Sequence, residues 1–248
     1  MARTRPQLPS LGLVSAEADD GAARGQFTRS AYDLIRNAIL ECRLLPGVAL
    51  SEQALSQELG VSRAPVRDAL RQLAAEHLVQ VVPQRGTYVA LLDPVRIRDA
   101  IFVREVIECR AAQLAAAAPL AQRKALLKLL QRQARASRAG DYTTHLQADE
   151  ELHREILRLA GHPHAWPALR LARTGMNRVR HLAIETVGSH RIAVDQHRLI
   201  VDAIIQGNAV AASEHMRVHI TAPLQFLQTI AERKPEYIAA LGEKHALA

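Results

Sequence analysis

The stretch Gly60-Val-Ser-Arg-Ala-Pro-Val-Arg-Asp-Ala-Leu-Arg-Gln-Leu73 constrains this chain more than any other. A short amphipathic segment, Glu52 to Leu59, precedes a glycine that permits a sharp turn. Ser62 is a natural helix N-cap, and Pro65 falls in the first turn, where amide protons lack helical partners. Val66, Ala69, Leu70 and Leu73 share one face at 3.6-residue spacing, while Arg63, Arg67 and Arg71 stand four apart on another. An apolar back and an arginine front describe the second helix of a helix-turn-helix, which can enter a major groove. Arginine there forks onto guanine O6 and N7 or clamps phosphate.

The flanking residues extend this unit. Ser30 to Leu40 reads as a helix with Ala31, Leu34, Ile35, Ala38 and Ile39 buried; Leu45-Pro-Gly47 is a turn; Ser51 caps the next helix. His77–Val82 and Thr87–Leu91 alternate as strands, joined by Pro83-Gln-Arg-Gly86. Three helices and a hairpin make a winged helix, with Arg85 and Gly86 at the wing tip. Residues 1–26 mix Pro, Gly, Ala, Ser and Asp without period and read as a flexible arm, so the winged helix is placed at 27–92.

Asp93-Pro94 is an N-cap followed by proline at the first helical position. Beyond it no strand pattern appears. Helices are expected at about 94–118, 120–138, 142–160, 164–187, 190–206 and 209–233, each ended by Gly or Pro. The expected fold is therefore mainly α: a winged helix followed by an antiparallel helical bundle over 93–233, with a tail at 234–248.

The chain carries a net charge of +7, but residues 1–92 hold ten basic and nine acidic groups. DNA binding thus rests on where the arginines sit, not on bulk charge, and a purely structural DNA-packaging protein is disfavoured. Cys42 and Cys109 have no CxxC spacing and read as reduced thiols. With no membrane-spanning run and no secretory signal, a cytoplasmic protein is expected, with no membrane partner.

A second constellation lies in the bundle. Asp149 and His153 are one turn apart on one helix, while His197 and His219 lie on two later ones. Three imidazoles and a carboxylate from facing helices form a donor set for a divalent metal such as Zn, Ni or another first-row transition ion. His215, four before His219, and His145, four before Asp149, are rival donors. The remaining histidines near helix ends, His162, His164, His181 and His190, read as solvated or capping. Arg104 and Glu108 are one turn apart among apolar neighbours, so a buried Arg104 must pair with Glu108 or hold the carboxylate of a bound small molecule. Asn177 and Arg178 are further candidates to line a polar cavity.

Taken together, the two constellations resemble the GntR-type bacterial transcriptional regulators, in particular the FadR-like subgroup with an all-helical FCD ligand-binding domain. The matching residues are Leu44-Leu-Pro-Gly47, Leu50-Ser-Glu52, Leu55, Leu59 to Leu70, Leu73 and Arg85-Gly86. In the second domain they are Arg104-x3-Glu108, Asp149-x2-Leu-His153, Ala160-Gly-His-Pro163, His197-x2-Ile200 with Gly207, and Met216-x2-His219. The resemblance implies that Arg63 and Arg67 contact DNA, with Ser62, Ala64, Gln53 and the Arg85-Gly86 tip beside them. It implies metal ligation by Asp149, His153, His197 and His219, which sets aside His145 and His215. It places Arg104 facing the effector; Glu108, one turn away, and Asn177 are added as candidate effector contacts from their own positions. It further implies a homodimer on a pseudo-palindromic operator, most simply a repressor, with a small organic-acid effector near the metal. A metal-dependent hydrolase or other metalloenzyme is the alternative reading of the His3Asp set, although no general base and no H-E-x-x-H accompany it.

The sequence departs from the family pattern at several places. Cys42 and His77 stand where glycine is usual, Ala64 replaces a common threonine, and Gln53 occupies a position basic in some relatives. Gln196 replaces an acidic residue often seen before the histidine matching His197, with weakened support for that ligand expected.

Overall fold

The computed structural model describes residues 30–240, except for the side chains of 185 and 186; the N-terminal arm expected over 1–26 and the end of the tail, 241–248, lie outside them. The chain divides into two compact units, one ending at Leu91 and the other starting at Leu92.

In the first unit, α1 (Ala31–Leu40), α2 (Glu52–Leu59) and α3 (Arg63–Ala75) surround a core that includes Ile35, Ile39, Leu55, Val66, Leu70, Leu73 and Leu78. The turn between α2 and α3 depends on Gly60, which adopts φ 65°. Ser30 and Ser51 cap α1 and α2 by accepting from the amides of Asp33 and Ala54. Ser62 stands at the N-cap of α3, but contrary to expectation its hydroxyl accepts no bond from the helix. The wing strands β2 (Val79–Val82) and β3 (Gly86–Val89) pair antiparallel, with Val81 opposite Thr87. The expected two-stranded hairpin is corrected by a third strand: β1 (Ala49–Leu50) pairs with the outer edge of β3. Two residues are too few for a periodic sequence signal, so β1 was not legible.

In the second unit, Asp93 accepts from the amides of Val95 and Arg96 and starts α4 (Pro94–Arg104). A π-helical turn, Glu105–Cys109, joins α4 to α5 (Arg110–Ala115) within the single helix expected over 94–118. The widened turn keeps Arg104, Glu108 and Cys109 all buried. Then come α6 (Leu120–Arg123), α7 (Ala125–Ala139) and α8 (Tyr142–Leu159). After them come α9 (Trp166–Leu182), α10 (Ile184–Val187) and α11 (Ser189–Gln206).

The helix expected over 209–233 is two, α12 (Ala209–Thr221) and α13 (Pro223–Arg233). Pro223 has no amide proton and begins a new helix at its first position instead of continuing the old one. The segment expected over 164–187 is likewise divided, between Leu182 and Ile184. The segment expected to begin the tail is docked: the amides of Leu92 and Ala239 bond the carbonyls of Tyr237 (2.8 Å) and Leu92 (2.9 Å). Buried leucine, isoleucine, methionine and alanine residues from these helices form one core, with Leu126, Leu152, Ile156, Met176, Ile200 and Met216 near its centre.

Candidate functional site

The N-terminal end of α3 is open to solvent. Ser62, Arg63, Ala64 and Arg67 are exposed, as is Gln53 on α2, while the opposite face of α3 is buried. Arg67 is held by Glu52 from the start of α2, with Nη2 to Oε2 at 3.0 Å and Nε to Oε1 at 3.2 Å. This bond lowers the pKa of Glu52 and raises that of Arg67. Arg71 is engaged by Asp68, one turn back on its own helix. At the wing, Arg85 and Gly86 are exposed, and the Tyr88 hydroxyl donates to the Arg85 carbonyl at 3.0 Å. The amides at the start of α3 have no helical acceptors, a geometry suited to phosphate oxygens.

In the bundle, α8 supplies Asp149 and His153, α11 supplies His197, and α12 supplies His219. All four side chains are buried, and one donor atom from each lies within 4.8 Å of the others. His197 Nε2 is 3.2 Å from Nε2 of His153 and 3.2 Å from Nε2 of His219. Nitrogens about 2.1 Å from a shared metal stand about 3.0–3.4 Å apart, so both of these pairs have the separation that a metal imposes. His145 and His215 are not in the cluster, although His145 lies one turn away.

The outer ring nitrogens determine what the inner ones can do. His197 Nδ1 lies 2.7 Å from Gln133 Oε1, and His219 Nδ1 lies 3.0 Å from Gln196 Oε1. An amide oxygen only accepts, so each Nδ1 carries the proton and each Nε2 turns a lone pair inward. His153 Nδ1 faces the Glu108 carboxylate in the same way. Three lone pairs aimed at one point repel unless a cation lies between them, so this donor set fits a divalent metal. Gln133 also donates from Nε2 to Asp149 Oδ1 at 3.3 Å and thereby joins two members of the cluster. Gln196 supports His219, not the neighbouring His197, so its replacement of an acidic residue leaves a contact in place.

Charge around the cluster is dense. Arg180 Nη2 donates to Asp149 Oδ1 at 2.6 Å, Arg173 bonds Asp149 Oδ2, and Arg104 Nε donates to Glu108 Oε1 at 2.5 Å. Burial alone would raise the pKa of Asp149, but Arg180 and Arg173 hold it well below the carboxylate range. Burial of Glu108 is similarly outweighed by Arg104, His153 and Arg173. Burial pushes Arg104 down to about 10 against the pull of Glu108. Burial first, then the neighbouring His197, Arg180 and His153, depresses His219, while His197 is depressed by burial despite Asp149. Burial also pushes the Cys109 thiol up to about 11.

The sequence-based site residues fall into distinct places. Arg104 is fully buried and paired with Glu108, and Glu108 also braces His153. Asn177 is directed at Glu150, with Nδ2 to Oε1 at 3.4 Å. Arg173, Arg180 and Gln133 were missed. The two arginines sit in a basic helix that reads as an ordinary solvated face, and Gln133 lies among the polar residues of α7.

Comparison with known proteins agrees with this architecture. Residues 27–89 match the family described as bacterial regulatory proteins, gntR family, and residues 99–222 match the FCD domain. The chain belongs to the GntR family. An HTH-type transcriptional regulator from an unstable DNA locus of Streptomyces ambofaciens is 37% identical over 212 residues, covering 85% of this chain and 89% of that protein. The HTH-type transcriptional repressor RspR of Escherichia coli is 28% identical over 209 residues, covering 84% of this chain and 92% of the repressor. A GntR regulator from a Rhodococcus species superimposes with a TM-score of 0.66 at 25% identity, over 79% of this chain and 95% of that one. GntR proteins are transcriptional regulators that bind operator DNA, not enzymes, so the metalloenzyme reading is set aside. Among the described residues no helix is long and apolar enough to cross a membrane.

Proposed function

We propose that this GntR regulator is a cytoplasmic, homodimeric repressor whose operator affinity is set by a small carboxylate effector bound beside a divalent metal. The observation that carries this reading is the convergence of three histidine Nε2 atoms, with the rings of His197 and His219 held from behind through Nδ1 and Nδ1 of His153 against the Glu108 carboxylate. Asp149, His153, His197 and His219 are the proposed ligands. A divalent cation held by them supplies a Lewis-acidic centre with coordination positions for a carboxylate oxygen.

An anionic effector is supported by the surrounding charge. Arg104, Arg173 and Arg180 are buried beside Glu108 and Asp149, and among the described residues Arg104 Nη2 and Arg173 Nε have no hydrogen-bond partner. A carboxylate satisfies unpaired guanidinium donors and offsets the surplus charge. The apolar strip of Phe102, Val103 and Val106, exposed by 69%, 38% and 59%, supports burial against a second copy. Repression is favoured by the relative RspR, which is named a repressor.

On the DNA side, Arg63 and Arg67 read the operator, with Ser62, Ala64, Gln53, Arg85 and Gly86 contacting its backbone or adjacent groove. The effector changes operator affinity only if it binds the DNA-competent and DNA-released states unequally.

Footprinting on the protein's own promoter region tests the DNA assignment: Arg67→Ala loses specific protection while metal content is retained. Unchanged protection overturns it. Elemental analysis tests the metal site: the pair His153→Ala and His219→Ala lowers metal content, and full stoichiometry refutes the ligand set. A thermal-shift screen of di- and hydroxycarboxylic acids, with and without metal, tests the effector class. No metal-dependent stabilisation by any of them counts against it.

A further inference from the structure

The net charge of +7 has a single main source. Residues 120–140 contain six basic residues and no acidic one, while the remainder of 93–248 holds sixteen of each sign. Arg123 is committed to structure, donating from Nη1 to the carbonyls of Ala116 and Ile204 at 3.0 and 2.8 Å. The other five, Lys124, Lys128, Arg132, Arg135 and Arg138, are exposed on and just before α7. Only Arg132 has a carboxylate partner among the described residues, Glu151 at 2.6 Å.

The opposite face of α7 is committed to the bundle through Leu126, Leu130, Gln133, Ala136 and Ser137. Like charges at three- and four-residue spacing lower helix stability, so the run is a cost that packing alone does not explain. It spans about 21 Å from Lys124 to Arg138. Beside it lies an open groove of about 470 Å³ lined by Lys128, Arg132, Arg135, Asp141 and Thr144.

We infer that the exposed face of α7 is a second DNA-contacting surface, which binds phosphate backbone outside the stretch read by the winged helix. The chemistry selects this partner in three ways. Stable docking on a membrane surface combines charge with an inserted apolar face, and that of α7 is buried. A protein partner requires an apolar anchor at its centre, and α7 exposes no large hydrophobic residue. Charge without apolar area suits a polyanion bound through its backbone, and three of the five groups are arginines, which fork onto phosphate oxygens. Duplex DNA is such a polyanion and is already the partner of this family.

The test measures binding of full-length protein to a fluorescent random-sequence duplex longer than a winged-helix footprint, by anisotropy over a range of salt. Lys128→Gln, Arg135→Gln and Arg138→Gln combined remove three phosphate contacts. The slope of log affinity against log salt then becomes shallower by about 2.7, and the ratio of wild-type to variant affinity shrinks about 40-fold between 50 and 200 mM salt. The same decrement appears in an Arg63→Ala, Arg67→Ala background, because it does not pass through the recognition helix. Arg135→Lys with Arg138→Lys keeps the wild-type slope, which separates lost charge from lost fold. An unchanged slope in the triple variant overturns the proposal, as does a decrement that disappears in the recognition-helix background. Poly-glutamate binding as tight as duplex binding at equal ionic strength, and lost in the triple variant, overturns it in favour of an acidic protein.

Discussion

Gln133 places Oε1 2.7 Å from His197 Nδ1 and Nε2 3.3 Å from Asp149 Oδ1, so one amide fixes two proposed metal ligands from adjacent helices. Its orientation is determined by the pair: the oxygen accepts from the ring and the nitrogen donates to the carboxylate. Gln133→Leu should preserve the apolar packing while freeing the ring of His197. A 10- to 100-fold loss of metal affinity is expected, the range typical of such outer partners. Competition with a chromogenic chelator measures it, and an unchanged dissociation constant would show that His197 needs no such support.

Glu108 balances charge as well as bracing His153. It is the carboxylate bonded to fully buried Arg104, with Arg173 3.4 Å away. Glu108→Leu leaves buried guanidinium groups without compensation, and breaking a buried pair from one side costs about 3–5 kcal/mol. Denaturant unfolding of metal-free protein should show a loss of this size; a change under about 1 kcal/mol would mean that the arginines find other partners.

His145 gives the metal-free protein an acid-sensitive element. Burial lowers its pKa from 6.5 to about 4, although Asp149 on the same helix opposes that; Arg180 on α9 and His190 on α11 reinforce the shift, while the Gln133 backbone opposes it. Because the folded value is depressed, the unfolded chain binds more protons between these limits. Stability is full above about pH 6.5 and declines as pH falls towards 4, by at most roughly 3 kcal/mol from this residue. His145→Gln should flatten that part of the pH–stability curve. Parallel curves for variant and parent would remove His145 as the cause.

Cys42 and His77, where relatives usually carry glycine, adopt φ 50° and φ 57°. Side chains with a Cβ are disfavoured in that left-handed region by about 1–2 kcal/mol, so the departures store strain at two turns of the winged helix. Cys42→Gly and His77→Gly should each raise stability by roughly 1 kcal/mol or somewhat less, since glycine also gives the unfolded chain more freedom. Thermal unfolding with DNA binding as a control measures this. A lowered melting temperature for both would show that side-chain contacts outweigh the backbone.

Much of this was legible in the sequence because periodicity and end signals are local. The face of α3 follows from the spacing of Val66, Ala69, Leu70 and Leu73, and the start of the second unit from Asp93-Pro94. The features that stayed hidden depend on neighbours distant in sequence. Arg173 and Arg180 look like solvent residues until α9 packs them against Asp149. Asn177, a candidate for the cavity, is turned towards Glu150. The split at Pro223 was signalled by a proline inside a helical pattern, but the apolar periodicity on both sides masked it.

The π-helical turn at Glu105–Cys109 makes the second unit sensitive to residue number, not only to residue type. That turn holds one residue more than an α-helical turn, so winding the same residues as ordinary α-helix, with none deleted, would turn α4 by about 100° relative to α5. Ile97 and Ile101 on α4 would then leave the core that they share with Ala111, Ala112 and Ala115 on α5. The turn therefore works as a phase marker between α4 and the histidine cluster: the same side chains in the same order, one position out of step, would no longer meet.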